Sequence, residues 1–236
     1  MNPILEPIFQ RRAVKVFDPV DIPQSLRGEI LDAARVAPSS FNSQPYRLYW
    51  VESPPMKRIA AQLCFGQSPA ETASALVVAV ADIGSMDSTA QGELEWMRKT
   101  GFSSEKVAER ERMAKIGKWI FAPGPLGLFG ALKWILFRLV NLWKVMGMPP
   151  ASRGDLFKWA TKSTSLACQN LMIAAEALDL NTCPMEGFDC RRLSKFLGLS
   201  PRFHEIVMVI AIGKKSVRHI DRPQWRRPLA ATVKVL

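Results

Sequence analysis

Residues 205–212 read Glu-Ile-Val-Met-Val-Ile-Ala-Ile and run into Gly213, while residues 76–82 read Leu-Val-Val-Ala-Val-Ala-Asp. Both runs are nearly free of polar alternation, the pattern of strands covered on two faces. Gly213 is expected to end the first of them. Residues 47–52, Arg-Leu-Tyr-Trp-Val-Glu, are rich in β-formers and predict a third strand. Between these, residues 155–180 contain no Gly or Pro and repeat apolar side chains at Leu156, Trp159, Leu166, Ile173, Ala177 and Leu178. That is a long helix, and its small middle residues (Ser163, Thr164, Ser165, Ala167, Cys168) suit close packing. Strands and helices interleave, so the expected class is α/β or α+β with helices covering a sheet.

The flanks add shorter elements. The opening segment through Arg12 reads as a short amphipathic helix carrying Ile4, Leu5, Ile8 and Phe9. A second helix is expected from Asp21, as cap, and Pro23, in the first turn, through Leu26, Ile30, Ala33 and Ala34, closed by Pro38. Another spans 190–197 before Gly198-Leu199-Ser200-Pro201, and the tail 229–236 has strand propensity without a local partner.

At 236 residues, 48% hydrophobic and 22% charged, the chain can bury a sizeable core and is no disordered polymer. We expect one domain over 1–236 with a variable apolar and basic insert at about 117–150. Lys and Arg number 32 against 21 Asp and Glu, a net charge of +11 that argues for an anionic partner without specifying the fold. Cys64, Cys168, Cys183 and Cys190 are scattered, and His204 and His219 complete no zinc-finger spacing. Reduced, mostly buried thiols in a cytoplasmic protein are expected. Pro3, Glu6 and Pro7 break the apolar run that an export signal needs.

Three segments carry candidate chemistry. Arg11-Arg12-Ala13-Val14-Lys15 offers converging cations to a phosphate, although a short basic run is usually a solvated face. The loop Ala37-Pro38-Ser39-Ser40-Phe41-Asn42-Ser43-Gln44-Pro45 could cap a helix or present hydroxyls and amides to a polar heterocycle. Cys183-Pro184-Met185-Glu186-Gly187-Phe188 follows the long helix, and Gly187 would admit a flat ligand close to the backbone. The alternative for this last segment is a plain helix-to-helix turn.

Taken in order, Arg11-Arg12-x-x-Lys15, the 37–45 loop and Pro184-Met185-Glu186-Gly187-Phe188-Asp189 resemble the FMN-dependent nitroreductase family. Ala174-Ala175-Glu176-Ala177-Leu178 and the strand leading to Gly213-Lys214-Lys215 fit the same pattern, so the likeness covers about 8–82 and 155–228. It implies an α+β subunit with a central, mostly antiparallel sheet flanked by helices. It also implies a homodimer with a long interface helix, and FMN at the interface. Arg11, Arg12 and Lys15 would then hold the FMN phosphate and pyrimidine edge, with Ala13 standing where a Ser is common. Pro38, Ser39, Ser40 and Asn42 would reach the flavin of the partner subunit. Pro184, Met185, Glu186 and Gly187 would lie along the ring, with a backbone N–H near Glu186 or Gly187 donating to it. Arg226 matches a late phosphate-binding Arg, and Gln67 would touch the ribityl chain or ring. The implied reaction is ping-pong transfer from NADH or NADPH to a small electron-poor acceptor such as a nitroaromatic or quinone, needing neither a Ser-His pair nor a nucleic-acid partner. Alternatives are a flavin site specialised for reductive dehalogenation or flavin consumption, and a non-enzymatic flavin-binding or membrane-surface protein.

Residues 117–150 match this pattern poorly. Lys133, Arg138 and Lys144 interrupt the apolar run, and Pro123, Gly124, Pro125 and Gly127 break its first half, which argues against a membrane span. From Ala131 to Met146, helical geometry gathers Lys133, Asn141, Lys144 and Arg138 on one side and leaves a wide apolar remainder. Three readings stand: a helix packed on the dimer, a lid lining an acceptor pocket, and a basic amphipathic helix on anionic lipid through 131–146.

Overall fold

The computed structural model describes residues 2–122, 128–145 and 147–236, apart from the Leu128 side chain. The expected breaks at Pro123, Gly124, Pro125 and Gly127 lie outside the described residues, as does Met146; the helix expected over 131–146 already ends at Val140 and gives way to turns and a bend over 141–144.

The sheet has five strands: β1 (Phe17–Asp18), β2 (Tyr46–Val51), β3 (Ala75–Asp82), β4 (Asn181–Met185) and β5 (His204–Lys215). Their order is β1-β5-β3-β2, with β4 also on β5, and every named pair is antiparallel. β4 and β1 share one edge of β5, pairing with 209–213 and 214–215 in turn. The expected α+β architecture is therefore present.

β3 is buried along its whole length, as its unalternating sequence requires. Its side chains still part by the two-residue period. Leu76, Val78 and Val80 enter one core with Val14, Phe17, Cys64, Met185, Leu193 and Val209, while Ala75, Val77 and Ala79 enter another with Ile30, Ala34, Leu171, Met172 and Ile210. The second core is closed by α2 (Gln24–Arg35) and the long helix α8 (Arg153–Ala177), whose small residues Ser163, Thr164, Ala167 and Cys168 are buried. The first is closed by α3 (Pro54–Leu63), α4 (Ser68–Thr72) and α9 (Cys190–Phe196). The remaining helices are α1 (Glu6–Gln10), α5 (Met86–Lys99), α6 (Ser104–Phe121), α7 (Leu128–Val140) and α10 (Leu229–Thr232).

Several expectations need correction. Asp21 does not cap α2: Pro23 occupies the cap position, its fixed φ of −54° already suited to helix entry. Gly213 lies inside β5, which continues to Lys215 because β1 pairs with that end. The tail is a helical turn at Leu229–Thr232, not a strand. Residues 181–185 are a strand rather than part of a turn. Pro184 is tolerated there because β4 is an edge strand and Pro184 directs no N–H into the ladder. Cys64, Cys168 and Cys183 are buried and Cys190 is exposed, all free. Burial pushes the Cys64 thiol to about 11 and Cys168 to about 12, so both are inert core residues.

Lys133 departs most from its expected place. It does not lie on a solvated polar face but is 2% exposed. Its Nζ donates to the carbonyls of Trp119 (2.9 Å), Ile120 (2.7 Å) and Ala122 (2.7 Å), capping the C-terminus of α6. Among the described residues, no helix is long and apolar enough to cross a membrane.

Candidate functional site

The segment 11–15 leaves α1 and runs beside the start of β4: Ala13 and Thr182 form a parallel bridge, and the Val14 N–H donates to the Thr182 carbonyl at 3.0 Å. Lys15 is thereby aimed past β4, where its Nζ donates to Cys183 Sγ at 3.2 Å. On the other side, Ser68 Oγ donates to the Lys15 carbonyl at 2.9 Å. Beyond β5, buried Ser216 anchors the chain. Its N–H donates to the Val16 carbonyl, and its Oγ accepts from the Arg218 N–H. This local turn folds 218–226 back over the 11–16 segment.

The result is a cleft of about 610 Å³ that brings together Arg11, Arg12, Ala13, Lys15 and Arg226 with Arg218, His219 and Arg222. Its cations are opposed by Asp221, which is tied to Lys215 at 2.9 Å and faces His219 Nε2 at 3.7 Å. The Lys215 hydrogen bond holds the Asp221 carboxyl below the usual carboxylate range. The Lys15 N–H donates to His219 Nδ1 at 3.2 Å, which leaves the imidazole proton on Nε2, facing Asp221. Converging guanidinium groups of this kind match the geometry of a phosphate or a comparable anion.

Two arginines of the opening segment differ in what they offer. Arg12 Nη1 donates to the carbonyls of Phe9 (2.7 Å), Gln10 (3.0 Å) and Arg11 (3.0 Å), so that arm caps α1 instead of reaching a ligand. Arg11 Nη1 is buried and has no hydrogen-bond partner among the described residues. A buried guanidinium nitrogen left unpaired costs free energy unless an acceptor meets it.

Pro184 and Met185 end β4 and Glu186 and Gly187 follow it; none of the four lines the cleft. Gln67 Nε2 donates to the Gly187 carbonyl at 2.6 Å and to the Cys64 carbonyl at 3.0 Å. A Cβ on Gly187 would stand 3.2 Å from that amide nitrogen, so close approach of the two is what glycine permits here. Gln67 thus braces the segment and does not line the cleft. Asp189 terminates the segment by capping α9 through the Arg192 N–H at 2.9 Å.

Pro38, Ser39, Ser40 and Asn42 do not line this cleft. Their loop is braced on the α5–α6 pair: Asn42 Nδ2 donates to Glu93 Oε1 at 3.2 Å, Arg110 holds Glu93 at 2.5 Å, and Ser39 Oγ accepts from the Gln44 N–H at 3.0 Å. Phe41, Asn42 and Gln44 all adopt positive φ, at 58°, 51° and 42°. Strain on a bulky residue such as Phe41, half-exposed, persists where the surroundings hold a loop in a presentation geometry. Phe41 meets Phe121 at the end of α6 edge to face, 6.1 Å between ring centres.

The reading of the sequence missed Arg218, His219 and Arg222. The available signal was the clustering of cations in Arg218-His219-Ile220-Asp221-Arg222, four residues before Arg226.

A model described as the nitroreductase family matches residues 8–214. Protein DrgA of Synechocystis is 28% identical over 221 residues, covering 93% of this chain and 86% of its own. An NADH dehydrogenase of Thermus thermophilus is 28% identical over 225 residues, covering 95% and 92%. Among solved structures, a Staphylococcus epidermidis protein described as an NAD(P)H:FMN oxidoreductase superposes with a TM-score of 0.76 at 26% identity, over 100% of this chain and 97% of that one.

Proposed function

The chain belongs to the nitroreductase family, and from that premise we propose that it binds FMN and uses NADH or NADPH to reduce small electron-poor acceptors, nitroaromatics or quinones, by a ping-pong reaction. The observation that carries this reading is the buried, unpartnered Arg11 Nη1 in a cleft lined by Lys15, Arg218, Arg222 and Arg226. The FMN phosphate is a dianionic acceptor of the kind that such a nitrogen lacks. FMN bound there would supply hydride-transfer chemistry between the nicotinamide and the acceptor.

The protein's own part is positioning. Arg11, Arg226 and the newly seen Arg218 and Arg222 would hold the phosphate. Lys15, steered by its backbone bond to His219, would meet the pyrimidine edge, and Pro184, Met185, Glu186 and Gly187 would lie along the ring. Gln67 fixes that segment through Gly187. Arg12 takes a supporting role, since one of its arms is committed to α1. Pro38, Ser39, Ser40 and Asn42 would serve the site of the partner subunit in a homodimer; none of the four lines the cationic cleft of its own chain, while Phe41 and Ser43 of the same loop line a second pocket with Phe121. The contact of Phe41 with Phe121 links that loop to the 117–150 region, and supports a role for the region in acceptor choice.

Purified protein should be yellow, release FMN on denaturation, and oxidise NADH or NADPH when menadione or a nitroarene is added. Protein that stays colourless after incubation with FMN would overturn the reading. Light scattering tests the dimer.

A further inference from the structure

Helix α7 is built inside out. The residues it turns toward the protein are Gly130, Lys133, Phe137, Val140 and, just beyond it, Asn141, a seam with helical spacing and two polar members. Lys133 is buried on the α6 carbonyls, and Gly130 lies so close to the chain that a Cβ there would stand 2.0 Å from the Ala151 carbonyl oxygen. The opposite face is apolar and uncovered. Leu132 (64% exposed), Ile135, Leu136, Leu139, Leu142 (67%) and Trp143 (89%) all point outward. An ordinary surface helix has the reverse arrangement.

Charge decides what covers this face. No acidic residue occurs from 112 to 154, while Arg138 and Lys144 flank the apolar surface in a chain of net charge +11. A two-fold contact centred on α7 would set these cations against their own copies, and the segment 112–154 offers no acid to pair them. An anionic bilayer satisfies both features. Apolar side chains enter the acyl boundary, cations meet headgroup phosphates, and Trp143 sits at the interfacial level that Trp favours. At 13 residues, α7 is about 20 Å long, well short of the roughly 30 Å needed to cross.

We propose that α7 docks the protein on anionic membrane surfaces, lying in the plane of the interface with its Leu132–Trp143 face buried in lipid. The capped α6–α7 junction holds it in that presentation. The proposal does not depend on the oxidoreductase reading, because binding is scored without FMN or NAD(P)H.

The test sediments the full chain with vesicles of phosphatidylcholine alone and of phosphatidylcholine with about a third phosphatidylglycerol. Binding is expected to the anionic vesicles, to weaken with added salt, and to fall at least about tenfold in the Ile135→Glu/Leu139→Glu variant. Arg138→Gln/Lys144→Gln should remove the preference for anionic lipid. Both variants alter exposed positions, and an unchanged circular-dichroism spectrum establishes that each is folded. Failure to bind anionic vesicles, or equal binding by wild type and I135E/L139E, would overturn the proposal. So would light scattering in which I135E/L139E lowers the oligomeric state, since a second copy would then be the occupant.

Discussion

Replacing Lys133 by Met is expected to loosen the junction between α6 and α7. The apolar stem is kept, but three hydrogen bonds of 2.7–2.9 Å to the last carbonyls of α6 are lost, with the cation's approach to the rings of Trp119 (5.6 Å) and Phe129 (5.0 Å). Bonds from a charged donor contribute about 1.5–3 kcal/mol each. Against this stands the cost of burying an ammonium, visible in the way burial pushes the Lys133 pKa down; that cost is several kcal/mol. Trp119 is also half-exposed, so water can take up part of what Lys133 leaves. The net loss is about 2 kcal/mol, or about 30-fold in the equilibrium for opening α7. Limited trypsin digestion reads this directly, because Arg138 and Lys144 lie beyond the substituted residue and Lys133 itself is no longer a cleavage site. Cleavage after Arg138 should accelerate about 30-fold if opening is fast relative to proteolysis. A rate within about twofold of wild type would show that packing of the helix, not the buried cation, holds the junction.

Arg11→Gln should weaken FMN binding about 10- to 100-fold in a fluorescence titration, the cost of one charge-assisted contact, with little change in melting temperature; unchanged affinity would remove Arg11 from the phosphate site. Ser152→Ala breaks the reciprocal cap with Asp155 at the start of α8 and should cost about 1 kcal/mol in urea denaturation. The Ser152 hydrogen bonds also depress the Asp155 pKa below 3.8. That stabilisation is therefore present above 3.8 and lost as pH falls through the depressed folded value, so the difference between wild type and Asp155→Asn should close in acid and persist at neutral pH. Asp179 follows α8 at φ 59° with an exposed side chain, so Asp179→Gly should gain about 0.5–1 kcal/mol by calorimetry; a loss would mean that the carboxylate has a role the backbone angle does not show.

Much of this protein is decided by local composition. The buried strands at 76–82 and 205–212 and the helix over 155–180 announce themselves because unbroken apolar runs and small-residue helix faces are stable only when covered. The family resemblance rests on three short segments whose order survives in sequence, and one of these, 11–15, lies against Thr182 and Cys183 of β4, the strand from which 184–187 continues. What stayed hidden depends on partners far along the chain. β4 exists because β5 offers it an edge, and a five-residue run containing Pro184 has too little local preference to declare itself a strand. Gly213 reads as a stop until β1, nearly two hundred residues earlier, supplies the pairing that carries β5 onward. Arg218 and Arg222 become part of the cleft only when the turn at Ser216 folds them over Arg11. The side of α7 that faces the protein stayed open in the sequence for the same reason. Helical periodicity sorts residues by angle but is blind to which side is in, and the three open carbonyls of α6, a tertiary feature, drew Lys133 inward and left the leucines outside.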